Sequence, residues 1–293
     1  MNTRPSVTPQ ARTRSTDDGS VLPARADMPD CSSEPGAEAS AAILSELLRT
    51  RRSVRDFRPD PVDPALLDAI LDDARQAPSW SNTQPYRLAI ATGDVRDRLA
   101  AALCERYDLA QQAQRGGWFG RLRLLLGRKG LPDGDYRTVF EYPTDLQGRR
   151  RDTGFGLYRL LGIGREDRAA REAQMRRNFE FFGAPVVIFV FVHQGLREFS
   201  ALDAGLWLQS LMLSAHAHGL GSCAQGALAT WAGPVRAAYE IPRQYRLIGG
   251  VSLGHPSSHP VNHYNPGRSE RSELQLRLRT YLPDQPGAAA RPG

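Results

Sequence analysis

Lysine is almost missing from this chain: Lys129 is the one lysine among 38 basic residues, so arginine carries nearly all of the positive charge behind the formal +6. A basic balance invites a nucleic-acid reading. The 32 acidic residues are interspersed among the arginines, however, and aromatic and basic residues do not alternate as a single-strand platform requires. Nucleic acid is therefore not an expected partner, and the arginine bias suggests a GC-rich coding sequence instead. A small anionic ligand needs far less, since two or three placed guanidiniums suffice. Cysteine is also scarce: Cys31, Cys104 and Cys223 form no CxxC, which argues against a secreted disulfide scaffold and suits a reducing cytoplasm. Long apolar runs are lacking. The most hydrophobic stretches are short or are broken by Asp203, Gln209 and His216, so no membrane span is expected. No apolar segment follows Arg4, Arg12 and Arg14, so a secretory signal is not expected either. The expectation is a soluble, cytoplasmic protein.

What is present is enough apolar composition, 41%, to bury a large core. Residues 1–38 are rich in Pro, Ser, Asp, Arg and Gly without hydrophobic period and read as a flexible tail; 281–293 reads likewise, leaving 39–280 as one domain. Within it, the apolar spacing after Ser40 predicts a helix ending at Arg49–Arg52. A second helix starts at Pro64, capped by Asp63, and buries Leu66, Leu67, Ile70, Leu71 and Ala74 before Pro78. Tyr86–Thr92 reads as a strand closed by Gly93-Asp94, and Val95–Leu109 as a helix. Residues 111–148 read as irregular apart from a short helical piece at Trp118–Leu126; so long an excursion suggests function. A helix at Glu166–Phe181, a buried strand over Pro185–Val192, a helix at Ala201–Ala217 apolar on nearly all faces, a helix near Pro234–Glu240 and a strand at Leu247–Leu253 complete the pattern. Two helices precede the first strand, so an α+β layered domain fits better than a βαβ repeat.

Three segments carry candidate chemistry. Arg51-Arg52-Ser53-Val54-Arg55 gathers forked donors and a hydroxyl at a helix end, suited to a phosphate or carboxylate; a solvated basic helix terminus would look the same. Ser79-Trp80-Ser81-Asn82-Thr83-Gln84, between prolines, offers hydroxyls and amides to a polyhydroxyl chain or heteroaromatic edge, or is an ordinary turn. His218-Gly219-Leu220-Gly221-Ser222-Cys223-Ala224-Gln225-Gly226 permits close backbone approach to a flat ligand. Its Gly219, Gly221 and Ala224 match a dinucleotide GxGxx[GA], but they follow a helix rather than a strand, which excludes that motif. His255, His259 and His263 recur every four residues, yet Pro256 and Pro260 prevent the single helix face that a zinc site of that spacing needs. Ser222 and Cys223 lack a recognisable acid partner for nucleophilic catalysis.

These segments, in this order and followed by Leu253-Gly254-His255-Pro256, resemble the nitroreductase family of FMN enzymes from about residue 45 to 280. Tyr142-Pro143, Arg149-Arg150-Arg151, Gly154, Tyr158, Leu161-Gly162-Ile163 and Asn178 through Pro185 are similar to its nitrobenzoate reductase-like branch, with about 111–165 as a family insertion near the substrate site. The resemblance implies a nitroreductase-like α+β fold: a central mixed, mainly antiparallel sheet flanked by helices, in an intertwined homodimer. It also implies FMN as cofactor, NADH or NADPH as electron donor, and two-electron ping-pong transfer to a nitroaromatic, quinone or other small electron-poor acceptor. By the same likeness Arg51, Arg52, Ser53, Val54 and Arg55 contact FMN, and Ser79, Asn82 and Gln84 arrive from the partner subunit. Backbone amides around Gln225 and Gly226 face the ring, and Arg268 and Arg271 resemble the C-terminal phosphate ligands, although Ser272-Glu273-Leu274 follows where the family usually has a small residue or proline and leucine. Arg149, Arg150 and Arg151, or Arg121 and Arg123, are candidates for an aromatic carboxylate or for a solvated basic face. An oxidative desaturase or dehalogenase, or a non-catalytic flavin-binding dimer, are the alternatives on this scaffold.

Overall fold

The computed structural model describes residues 36–118, 120, 130–136 and 142–276. The C-terminal tail expected at 281–293, most of the N-terminal tail, most of the helical piece Trp118–Leu126 and the candidates Arg121 and Arg123 lie outside the described residues. The chain divides into two units, Met1–Glu46 and Leu47–Gly293. The described part of the first is the beginning of helix α1 (Ala37–Thr50), and the sheet with its covering helices belongs to the second.

The sheet is organised around β2 (Val186–His193), whose first seven residues are all buried because helices cover both faces. β1 (Tyr86–Thr92), β4 (Tyr245–Gly254) and β3 (Gly221–Gln225) complete it in the order β1-β2-β4-β3, every neighbouring pair antiparallel. Alternation along β2 separates two cores. Val187, Phe189 and Phe191 meet Leu99 and Leu103 of α3 (Gly93–Arg115) together with Phe179, Phe181 and Trp231. Val186, Ile188, Val190 and Val192 meet Ile70 and Ala74 of α2 (Pro64–Arg75) and the long helix Glu198–Ala217.

The Asp63 cap is formed, its carboxylate accepting from the Ala65 amide at 2.9 Å with Pro64 in the first helical position. β3 has no counterpart in the sequence pattern, which shows only a turn before Gln225. Its Gly-Ser-Cys-Ala-Gln composition has no apolar alternation, and pairing with β4 creates the strand. α3 extends to Arg115 because its second half is held by good helix formers, Ala, Gln and Arg, after the apolar period has faded. Gly93-Asp94, expected to close β1, instead opens this helix.

The excursion expected to be irregular contains the start of α4 (Thr144–Leu160). Its residues 130–136 are tied to the body. Asp135 accepts from the Leu247 amide at 2.6 Å and pairs with Arg236 at 2.7 Å; Asp133 pairs with Arg106 at 2.7 Å and takes the Gly233 amide at 3.1 Å. α5 covers Arg168–Arg176 only, short of the expected Phe181, because the chain turns through left-handed Phe181 and Phe182 (φ +56° and +55°) to enter β2. The long helix Glu198–Ala217 is α6, followed by α7 (Gly233–Ala238) and the one-turn α8 (Arg271–Leu274). Asp203, Trp207, Leu211 and Ala215 form the buried stripe of α6, whereas Leu202 and Leu206 stay 59% and 40% exposed. No described helix is long and apolar enough to cross a membrane.

Candidate active site

The first and third motifs meet at the β3 edge. Ser53 forms a parallel bridge with Ser222, and the Val54 amide donates to the Ser222 carbonyl at 3.0 Å, so the Arg51–Arg55 segment adds itself to the sheet and supplies the mixed character. A Cβ on Gly221 would lie 2.6 Å from Val54 Cγ2, so glycine there lets the two backbones approach. Asn262 locks the far end: its Oδ1 accepts from the amides of Arg55 (2.8 Å) and Asp56 (3.1 Å), and its Nδ2 donates to the carbonyls of Asp56 (2.7 Å) and Ser257 (3.0 Å). All four partners of one buried amide side chain are thereby satisfied, which makes it a rigid clamp. Asp56 pairs with Arg177 at 2.8 Å and accepts from Ser257 Oγ. Burial works to raise the Asp56 pKa, but the bonds from Ser257 and Arg177 outweigh it and hold the carboxyl below its ordinary value.

The arginines divide by role. Arg52 folds back on the carbonyls of Arg49 and Arg51, serving the helix end. Arg51 faces a cleft of about 300 Å³ that Val54, His216, Gly221 and Asn262 also line. Burial and then the neighbouring charges of Arg268 and Arg52 push its pKa down, and no carboxylate among the described residues pairs with Arg51 or Arg268. Two neighbouring guanidiniums without a counter-charge are a donor set for an oxyanion. Arg271 opens α8, exposed, and does not join the charges acting on Arg51. Thr50 Oγ1 and His216 Nε2 lie 2.8 Å apart at the same cleft, and burial with Arg51 and Arg52 lowers the imidazole pKa.

Gln225 is buried and its side chain turns inward, Nε2 donating to the Asn178 carbonyl at 2.9 Å and Oε1 accepting from Ser252 Oγ. It braces the backbone, leaving exposed Gly226 at the strand end. Cys223 is buried beside Arg51 and Arg55, but burial dominates and pushes its thiol up to about 11, so it stays protonated and unreactive at neutral pH. Burial likewise pushes Cys104 up to about 11. His259 caps a one-turn helix, Pro260–His263, accepting from the Val261 amide through Nδ1.

The second motif is not brought to this edge within the chain. Ser79, Asn82 and Gln84 sit in the loop that feeds β1, and β1 lies three strand spacings from β3, about 14 Å across the sheet. There Ser79 Oγ accepts from the Gln84 amide at 3.0 Å, Gln84 Nε2 donates to Asn82 Oδ1 at 2.9 Å, and the Trp80 amide donates to Asp203 at 3.1 Å. Ser81, Asn82 and Gln84 all adopt left-handed φ (+47°, +55°, +44°), a concentration of non-glycine strain typical of functional loops. Asn262, Asn178 and His216 escaped sequence reasoning as site-building residues. Each acts on backbone or side chains distant in sequence, so only the fold reveals the role.

The Nitroreductase family profile matches residues 48–255. Nitroreductase NfnB of Mycolicibacterium smegmatis is 34% identical over 218 residues, covering 73% of this chain and 83% of that protein. The 4-nitrobenzoate reductase of Nocardioides sp. is 34% identical over 229 residues, covering 78% and 85%. Among solved structures, the FMN-dependent nitroreductase NfnB from Mycobacterium smegmatis in complex with NADPH superposes with a TM-score of 0.70 at 31% identity over 82% of this chain and all of that one. With the profile spanning both the Arg51–Arg55 segment and β3, the chain belongs to the nitroreductase family.

Proposed function

We propose that this protein is an FMN-dependent oxidoreductase that uses NAD(P)H to reduce nitroaromatic, quinone or related acceptors, acting as a cytoplasmic homodimer. The observation that carries it is the Arg51–Arg268 pair, two guanidiniums without a carboxylate beside a cleft opened by Gly221. That donor set fits a phosphate monoester, and Arg51 and Arg268 are the residues that would hold it. Ser53 and Arg55 follow along the segment and would face the ribityl and pyrimidine side, with the backbone at Gln225 and Gly226 beneath the ring. Bound there, FMN would supply two-electron chemistry between a reduced nicotinamide and an acceptor. The chain supplies position and charge: Asn262 fixes the Arg55 backbone, Gln225 braces the β3 end, and Arg55 would offer positive charge to the reduced flavin.

Two features support the homodimer. Leu202 and Leu206 leave an apolar side of α6 uncovered, and Phe199 and Trp80 extend it, stacked edge to face with centroids 4.1 Å apart. Ser79, Asn82 and Gln84 share the Trp80 loop beside this face and in the dimer would reach the β3 edge of the second copy.

The test is spectroscopic. The purified protein is expected to carry or take up FMN, to bleach anaerobically with NADPH or NADH, and to regain colour with 4-nitrobenzoate or a quinone. A colourless protein that neither binds FMN nor bleaches it overturns the proposal. Arg51→Ala should weaken FMN retention by about tenfold or more, the scale of one charged hydrogen bond.

A further inference from the structure

A second cavity, about 270 Å³, opens where α4 ends and α5 begins; Phe155, Tyr158, Arg159, Ile163, Arg165 and Arg171 line it. Its electrostatics are unbalanced. The nearby carboxylate of Glu172 already takes Arg115 and Arg168, and that of Asp167 is turned to the Ala170 amide as the α5 cap. Arg159, Arg165 and Arg171 are left without an ion pair among the described residues, and Arg171 Nε is fully buried with no hydrogen-bond acceptor. A buried N–H donor without a partner costs stability unless a ligand completes it. Arg165 lies over the Phe155 ring at 4.5 Å, so the wall combines a cationic plane with an aromatic one.

Three guanidiniums exceed what a single carboxylate needs and match the near-dianionic charge of a phosphate monoester. The aromatic wall adds a stacking surface for a purine. The α4 wall stands next to the candidate active site. Gly156, on α4, packs against Tyr264, next to the Asn262 helix, and the Tyr264 hydroxyl donates to the Thr153 carbonyl at 2.8 Å. Two residues beyond the end of α5 at Arg176 stands Asn178, whose carbonyl accepts from Gln225.

We propose that this cavity holds the phosphorylated adenosine end of the electron donor, through Arg165 and Arg171 on its 2′-phosphate, and so makes the protein prefer NADPH to NADH. The proposal rests on the NAD(P)H reading above. It is tested on the flavin-loaded protein with two variants, Arg165→Gln, exposed and free of structural contacts other than Phe155, and Arg171→Gln. Adenosine 2′,5′-bisphosphate should bind the parent by calorimetry, adenosine 5′-monophosphate at least tenfold more weakly, and the double variant should lose that difference. In steady state the double variant should raise KM for NADPH about tenfold and leave KM for NADH, kcat and flavin content unchanged. Equal binding of the two nucleotides, equal changes for NADPH and NADH, or tighter binding of benzoate than of the bisphosphate would overturn it. Because calorimetry needs no turnover, bisphosphate binding by a protein that reduces no acceptor upholds this site while removing the proposed activity.

Discussion

The sheet is finished differently at its two edges. At the β3 edge the chain completes its own structure: Ser53 bridges Ser222, Val54 fills the space Gly221 leaves, and Asn262 saturates the Arg55–Asp56 turn. Beside β1, three left-handed non-glycine residues wind an exposed loop that bonds mainly to itself, Gln84 to Asn82 and Ser79, and α6 next to it leaves Leu202 and Leu206 bare. One edge is a finished cradle lacking a counter-charge; the other is a strained, exposed loop whose polar side chains are bonded mainly to one another. The proposed dimer would use this division, each copy contributing one half of a site and receiving the other.

The largest way to break the comparison is to charge the bare face. Leu206→Glu leaves the monomer's core untouched, so as a free-surface change it would alter stability by only about 0.5 kcal/mol. If α6 packs on a second copy, the expected outcome is a monomer by sedimentation and loss of retained flavin together, since the loop of Ser79, Asn82 and Gln84 leaves with the partner. A dimer with full flavin occupancy would return both features to the solvent-exposed surface of one chain.

Next in size is the clamp. Asn262→Ala strips the acceptor from two amides and the donor from two carbonyls, a cost of about 2–3 kcal/mol in chemical denaturation when such groups stay buried. Flavin affinity should fall with it, as the Arg55 backbone loses its anchor. Unchanged stability would show that water replaces the side chain and that the turn is held by β3 alone.

Much of the fold is legible in the sequence, for a physical reason. β1 matches its expected bounds, β2 differs by a single residue at each end, and the Asp63-Pro64 helix start is as expected, because these features are written in local patterns: alternation, an apolar run and a cap. The first and third motifs are visible as residue types but not as neighbours, since 166 positions separate Thr50 from His216 and 207 separate Arg55 from Asn262. β3 is invisible because small residues carry no period, and only β4 makes them a strand. Arg268 and Arg271 look equivalent in sequence, and the fold sets only the former among the charges around Arg51.

A smaller effect separates the edges by pH. The folded pKa of Asp56 lies below its unfolded value, so its stabilisation is full above the ordinary carboxylate range and is lost as pH falls through the lower, folded value. Asp56→Asn should therefore flatten the acid limb of a stability–pH curve below about pH 4, where aspartate ordinarily titrates. Beside the β1 loop the Asp203 carboxylate is met by the Trp80 amide and not by Gln84, so Gln84 variants should leave that limb unchanged. An acid limb identical in Asp56→Asn and the parent would mean that Arg177 and Ser257 do not favour the charged form.

The finest distinction concerns strain. Gln84 sits at φ +44°, where a side chain with a Cβ is disfavoured by about 1 kcal/mol and glycine is not. Glycine also loses the Nε2 bond to Asn82 and adds freedom to the unfolded chain, which offsets part of the relief. Gln84→Gly should thus change thermal stability little, within about 1 kcal/mol, while weakening flavin retention measurably. The same change at Asn82 should show the smaller relief, because asparagine tolerates the left-handed region. If Gln84→Gly raised stability and kept the flavin, the strain would serve no ligand, and the loop would be shaped by its packing on Asp203 and Phe199 alone.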